Sequence, residues 1–560
     1  MKSRRCDSLR VSLVRAANAL TRFTVPGLVL LVATRLAAAA VAADYDLVIR
    51  HGQVLDGAGN PPVLADVAVK DGHIAQVGEV AGVGTREIDA TGQYVAPGFI
   101  DMMDHSGMTL LWHGAAQNKL RMGVTTLIAG EGGTPVPAEK IEDYFDQLGK
   151  RGIAVNFATY YSAAQARVAV MGERAGAPSP LQLDRMRTLV ATAMKAGVFG
   201  IASALVYPPD SFQSTSDLVA LAGVAGQCGG FYATHLRDEG AQLLDAIDEA
   251  IAIGEQGGAK VEIFHIKAAY SPGWGTLMPQ AIAKINAARA RGVDIAADIY
   301  PYTAAGTGID ITVPNHLFAH GSQRAHELLR KPQVRAALKE ELAAGSQPGW
   351  PNFVEAAGGW DHVVLANSFN PHYVRFHGQS FAAIGRALGK DPADAAWDIL
   401  LAALPQRAVA LYFMMDETDI ETALKQPWVS IGTDAAAAAK LGQPDALGLP
   451  HPRAYGTFPR VIAEYVRNRH LLTLEEAVRK MTGWPAERMG LTDRGMIRVG
   501  WRADLVVFDY TQIRDTATWE DPNATPVGIS EVIVNGKLAI HRGKYTGAKS
   551  GVVLRHRCDL

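Results

Sequence analysis

Cysteine is nearly missing from this sequence: 560 residues contain only Cys6, Cys228 and Cys558. So few exclude a disulfide-framed fold, and no Cys-x-x-Cys pair is present to build a structural zinc site. A basic run is missing too. Charged residues make up 20% of the chain and the formal net charge is −2, so a nucleic-acid partner is not expected. No internal repeat and no long low-complexity tract appears. What is abundant is apolar: 48% of the residues are hydrophobic, which at this length supports a large core.

The first 42 residues read as a separate object. Lys2, Arg4, Arg5, Arg10, Arg15 and Arg22 precede VPGLVLLVATRLAAAAVAA, and Ala40-Val41-Ala42 fits a small-x-small cleavage site. The apolar stretch is interrupted by Arg35 and is short for a stable span. A cleaved export signal over 1–42 is the expectation, giving a periplasmic or secreted protein with no membrane span after processing. That segment holds seven Lys or Arg and one Asp, so its removal takes the net charge from −2 to −8. Cys228 lies in the apolar AGVAGQCGGFYATH and is expected to be buried, with pairing to Cys558 as the alternative.

Residues 44–96 alternate and turn at Asp-Gly, as short strands do, and 491–555 contain a matching set with a hairpin signal at Asn535-Gly536. A small β-sandwich built from both ends is expected. Between them, eight β-branched apolar runs alternate with Ala-rich helical stretches: 98–103, 125–131, 154–161, 199–207, 231–236, 261–267, 294–302 and 429–435. This pattern predicts a (β/α)8 barrel over 97–490. VVLAN at 363–367 is a ninth candidate, and the long interval 303–428 predicts an extra lobe.

Barrel chemistry sits at the C-terminal ends of the strands. Those ends carry Glu131, His235 and His265, two imidazoles and a carboxylate, a set that suits one divalent metal, zinc above all, and also Fe²⁺ or Mn²⁺. Asp434 closes the eighth run and is the natural base beside a metal-activated water. Its structural alternative is a helix start, since Thr-Asp precedes five alanines in TDAAAAAK. Lys267 falls on the same face as His265 if the strand continues. Arg453, in HPRAYGTFPR, reads as a loop guanidinium able to grip a carboxylate. GFIDMMDHSGM has the form of a first strand ending in His-x-His, but Met103 stands in the first place and only His105 remains.

YATHLRDEG, FHIK, DIYPYTAAGT, HPRAYGTFPR and LTLEEAVRKMTGWPAERMGLTDRGMIRVGWRADLVVFD together resemble the amidohydrolase superfamily, and within it the N-acyl-D-amino-acid deacylases, over about 44–553. The resemblance implies a tight zinc site whose two histidines match His235 and His265. The family's cysteine position falls at Glu131. It implies a catalytic Asp434, substrate binding by Lys267, Tyr300 and Arg453, with Thr307 roughly matching a serine, and a weaker second metal site crippled at Met103. The expected reaction is metal-dependent hydrolysis of N-acyl-D-amino acids, small substrates bearing a carboxylate. A dipeptidase or cyclic-amide hydrolase is the alternative within the superfamily, and a non-catalytic binding protein the alternative outside enzymes.

Overall fold

Eight buried runs become parallel strands. They are β1 (Phe99–Asp104), β2 (Val124–Ala129), β3 (Asn156–Thr159, continued at Tyr161–Ser162), β4 (Gly200–Ala204), β5 (Phe231–His235), β6 (Lys260–Ile263), β7 (Ile295–Ile299) and β8 (Val429–Ile431). Successive strands pair in parallel within two sheets, β1 to β3 and β3 to β8. Between β8 and β1 the ring closes: the Asp434 N–H donates to Met103 O at 2.9 Å, and Asp104 bridges Ala435. Strands covered on both faces need continuous apolar runs rather than alternation, which is the pattern the sequence carries. The computed structural model describes residues 43–445 and 447–558; the export segment expected at 1–42 lies outside them.

Outside the ring, helices such as Thr215–Gly226 and Leu243–Gly257 connect consecutive strands. Ser214 starts the first of these through a capping box with Asp217. The β-rich ends form one nine-stranded sheet. Tyr94–Pro97 pairs antiparallel with Leu505–Phe508, and a shared core takes Leu47, Ile49, Val67 and Val95 from one end and Leu505, Ile533 and Leu538 from the other.

Between β7 and β8 the chain builds a lobe with its own core around Trp397, Phe353, Phe381 and Tyr412. Val363–Asn367 is a strand of this lobe. It pairs antiparallel with Val409–Tyr412 and is not part of the barrel. Cys228 is half-buried and bonded to Cys558, with Cα atoms 5.1 Å apart, so the buried free thiol is corrected to a disulfide. That bond holds a segment whose backbone pairs along the barrel's N-terminal opening, Gly551 with Ile153 and Val553 with Phe157.

Candidate active site

Glu131 sits two residues past β2, beyond a turn only glycine can make. Gly130 has φ +114°, and a Cβ there would stand 2.6 Å from the Tyr160 backbone. His235 is the last residue of β5. His265 follows β6 with φ +36°, and Asp434 follows β8 with φ +48°. Left-handed backbone at non-glycine residues costs about 1–3 kcal/mol each and collects at functional sites.

The three expected donors meet. Glu131 Oε1 is 3.1 Å from His235 Nδ1 and 3.5 Å from His265 Nε2. Ligands at 2.0–2.2 Å around a tetrahedral zinc stand roughly 3.4 Å apart, so the set fits such an ion. The other oxygen of Glu131 faces His105 Nε2 at 3.4 Å, and His105 in turn lies 2.9 Å from Asp434 Oδ1. His105, Glu131 and Asp434 thus form a second donor group sharing Glu131. Met103 adds nothing to it, being packed in the apolar core with Tyr160 and Phe264.

Asp434 Oδ2 lies 2.8 Å from Arg453 Nη1. Arg453 is not on an exposed loop. It is 1% exposed and opens the helix Arg453–Arg460. Its guanidinium lies over the Tyr300 ring at 4.7 Å. The Arg453 Nε and the Tyr300 hydroxyl are buried without a hydrogen-bond partner, donors left over for a ligand. Lys267 reaches His265 although β6 ends at Ile263: its Nζ is 2.6 Å from His265 Nδ1 and donates to Glu239 Oε1 at 2.8 Å. Thr307 lies 2.8 Å from the Tyr207 hydroxyl. All these groups except Met103 line one cavity of about 520 Å³ at the barrel mouth, walled on the lobe side by Val409, Leu447 and Leu449.

Two residues escaped the sequence reading. Glu239 stands behind both histidines, 3.2 Å from His235 Nε2 and 3.2 Å from His265 Nδ1, the placement that orients imidazole ligands. Its one signal was the spacing of four after His235. His451 donates from Nε2 to Ala304 O at 2.9 Å, and its Nδ1 accepts the Arg453 N–H at 3.1 Å. It sets the start of the helix that carries Arg453.

Electrostatics follow from burial and pairing. Burial alone would raise Glu131, but hydrogen bonds from His235 and His265 and the charge of His105 hold it well below the usual carboxylate range. Burial likewise opposes ionisation of Asp434, and Arg453 with the histidines keeps it ionised. The imidazoles of His105 and His235 are pulled down by burial yet end at about 9, because Asp434 and Glu131 raise the first and Glu239 and Glu131 the second.

The helix start weighed for Asp434 does not form. Residues 432–438 are irregular, although alanine is the best helix former. Buried polar groups hold their backbone instead: Ala437 N–H donates to Ser106 Oγ, Ala438 N–H to Asn118 Oδ1 and Ala436 N–H to Asp445 Oδ2.

A parallel eight-stranded barrel with two histidines and acidic residues converging at its C-terminal mouth has the architecture and donor set of a barrel metallohydrolase. The chain belongs to the amidohydrolase family, whose model matches residues 86–540, and within it to the N-acyl-D-amino-acid deacylases. It is 33% identical to an N-acyl-D-glutamate deacylase of Alcaligenes xylosoxydans xylosoxydans, over 92% of this chain and 97% of that one. It is 31% identical to a D-aminoacylase of the same organism, over 91% and 97%. The crystal structure of N-acyl-D-glutamate deacylase from Bordetella bronchiseptica, complexed with zinc and a phosphonate inhibitor, superposes with TM-score 0.76 at 29% identity, covering 91% of this chain and 99% of that one.

Proposed function

We propose that this chain hydrolyses the amide bond of N-acyl-D-amino acids, releasing a carboxylic acid and a free D-amino acid, with one zinc ion held by Glu131, His235 and His265. The observation that carries the reading is the convergence of those three donors with the Asp434–Arg453 pair in a single cavity. The D configuration and the acyl substrate class follow the two relatives.

When bound, the metal supplies Lewis acidity, polarising a carbonyl and making water a nucleophile at neutral pH. Asp434 moves the proton. Held ionised, it accepts the proton from the attacking water and returns it to the departing nitrogen. Arg453 binds the substrate carboxylate, as a guanidinium grips such a group through two parallel donors, and its unpartnered Nε is free for this. Lys267 lines the same cavity and adds positive charge beside His265, where its Nζ is held by Glu239. The Tyr300 hydroxyl, protonated because burial raises it well above its ordinary value, donates to the developing oxyanion. Glu239 holds both imidazoles in one orientation.

The protein is further proposed to work in the periplasm or outside the cell. The Cys228–Cys558 disulfide is of the kind that persists in an oxidising compartment, and the sequence over 1–42 reads as an export signal. No helix among the described residues is long and apolar enough to cross a membrane.

Elemental analysis of wild type and Glu131→Ala, beside an assay of paired N-acetyl-D and N-acetyl-L amino acids and L-D dipeptides, tests the reading. Expected are about one tightly held zinc per chain, lost in the variant, and turnover confined to the D series. A folded chain that holds no metal and stays inactive when metal is restored sinks it.

A further inference from the structure

We propose that Lys119 is a positioning residue for Asp434: its buried ammonium binds the residues on either side of that carboxylate and locks the left-handed turn that aims it. The inference rests on Asp434 as the proton carrier of the proposed reaction.

Lys119 lies on the short helix Gln117–Arg121 that leads into β2, and it is 0% exposed. A lysine in such a place must find several acceptors or give up its charge. Lys119 has four. Its Nζ donates to Thr433 Oγ1 at 2.6 Å and to Ala435 O at 2.7 Å, the residues before and after Asp434. It also pairs with Asp101 and Asp104 of β1, each at 2.8 Å. Asp101 completes the grip, accepting the Thr433 N–H at 2.8 Å and its hydroxyl at 2.7 Å. The ammonium therefore ties β1 to the hydroxyl of Thr433 and the carbonyl of Ala435, on either side of Asp434.

That grip answers a specific need. Asp434 adopts φ +48°, and five alanines that favour helix follow it. Without an outside constraint the segment relaxes towards right-handed backbone and swings the carboxylate away from His105 and Arg453. Lys119 touches neither cavity nor donor set, so its effect on chemistry runs through the backbone it holds, at Asp434 and, by way of Asp104, at the neighbouring His105.

Lys119→Met strips the cation from two buried carboxylates and risks unfolding. Thr433→Val is therefore the decisive variant, because it keeps side-chain volume and removes only the bridging hydroxyl; Thr433→Ser restores it. Arg488→Met, which breaks a buried pair with Glu262 at 2.9 Å at the other end of the barrel, is the control for destabilisation alone. The readouts are kcat, KM, zinc per chain, and hydrogen–deuterium exchange of the peptide spanning 433–438.

The expected result is a kcat about tenfold lower in Thr433→Val and about 100-fold lower in folded Lys119→Met, the scale of an ångström of misplacement. KM and zinc content stay unchanged, exchange at 433–438 quickens, Thr433→Ser recovers wild-type kcat, and Arg488→Met leaves kcat alone. A Thr433→Val enzyme with wild-type kcat and exchange overturns the inference. So does a kcat loss that Thr433→Ser fails to repair or that Arg488→Met reproduces. If wild type hydrolyses no substrate, the functional reading fails, and exchange at 433–438 still decides whether Lys119 locks the turn.

Discussion

The mouth and the floor of the barrel are built on the same eight strands with opposite priorities. At the floor, buried charges are neutralised in pairs and backbone is paired: Arg488 meets Glu262 through one carboxylate oxygen, the other having no partner, Arg494 meets Asp504 at 2.7 Å, and the segment from Gly551 hydrogen-bonds to Ile153 and Phe157. At the mouth, His265 and Asp434 hold left-handed backbone, and the Tyr300 hydroxyl and Arg453 Nε have no partner. The contrast teaches where stability is invested and where it is withheld: groups already satisfied by the protein have nothing left to offer a substrate.

Substitutions can break that contrast or sharpen it. The largest effect is expected from Asp434→Asn, which keeps a hydrogen-bonding side chain but not a base: turnover should fall by about 10³-fold or more while zinc and product still bind, as steady-state kinetics and calorimetry would register. Next comes the floor. Replacing both Cys228 and Cys558 by serine should cost about 2–5 kcal/mol in denaturant unfolding and leave kcat at 25 °C unchanged. If kcat drops in step with stability, the two ends are not separable. Arg453→Met should lower kcat/KM by about 10–100-fold, the scale of a charged hydrogen bond, through KM for the lost carboxylate contact and through kcat because Asp434 loses the cation that holds it ionised.

The smallest effect is one of pH. His105 and His235 rest at about 9 in the metal-free protein, above the ordinary value near 6.5 expected when unfolded. Their contribution to stability is therefore full below pH 6.5 and lost as pH rises through 9. Thermal scans at pH 6.5 and 9.5 should show a larger drop in Tm for chelated protein than for zinc-loaded protein, in which the ligand His235 is already neutral. Equal drops would remove the histidine–carboxylate contacts from the stability of the mouth.

Strand content was readable because parallel strands buried on both faces are continuous apolar runs. VVLAN has the same composition yet pairs inside the lobe, since burial alone does not say which sheet a strand joins. Glu131, His235, His265 and Asp434 stood out by their place at strand ends. Glu239 did not, because in HLRDEG it looks like a solvated loop carboxylate. Lys119 in QNKLR looks like an ordinary surface lysine, and its four buried acceptors come from β1 and from residues more than 300 positions away. The alanines after Asp434 favour helix locally, and tertiary hydrogen bonds override them.

The nine-stranded sheet has a consequence for the order of folding. Strand Tyr94–Pro97 finds its partner Leu505–Phe508 about 400 residues downstream, and the core between them draws on both halves. Neither half owns a finished core. An unstructured tether of that length makes the encounter slow, since loop closure must be met before any contact rewards it. The barrel shortens that search, because once its ring is shut the tether's two ends stand side by side. A route that closes the barrel first therefore meets the smallest loop-closure cost for the sheet, with the catalytic body as the jig on which its two halves meet.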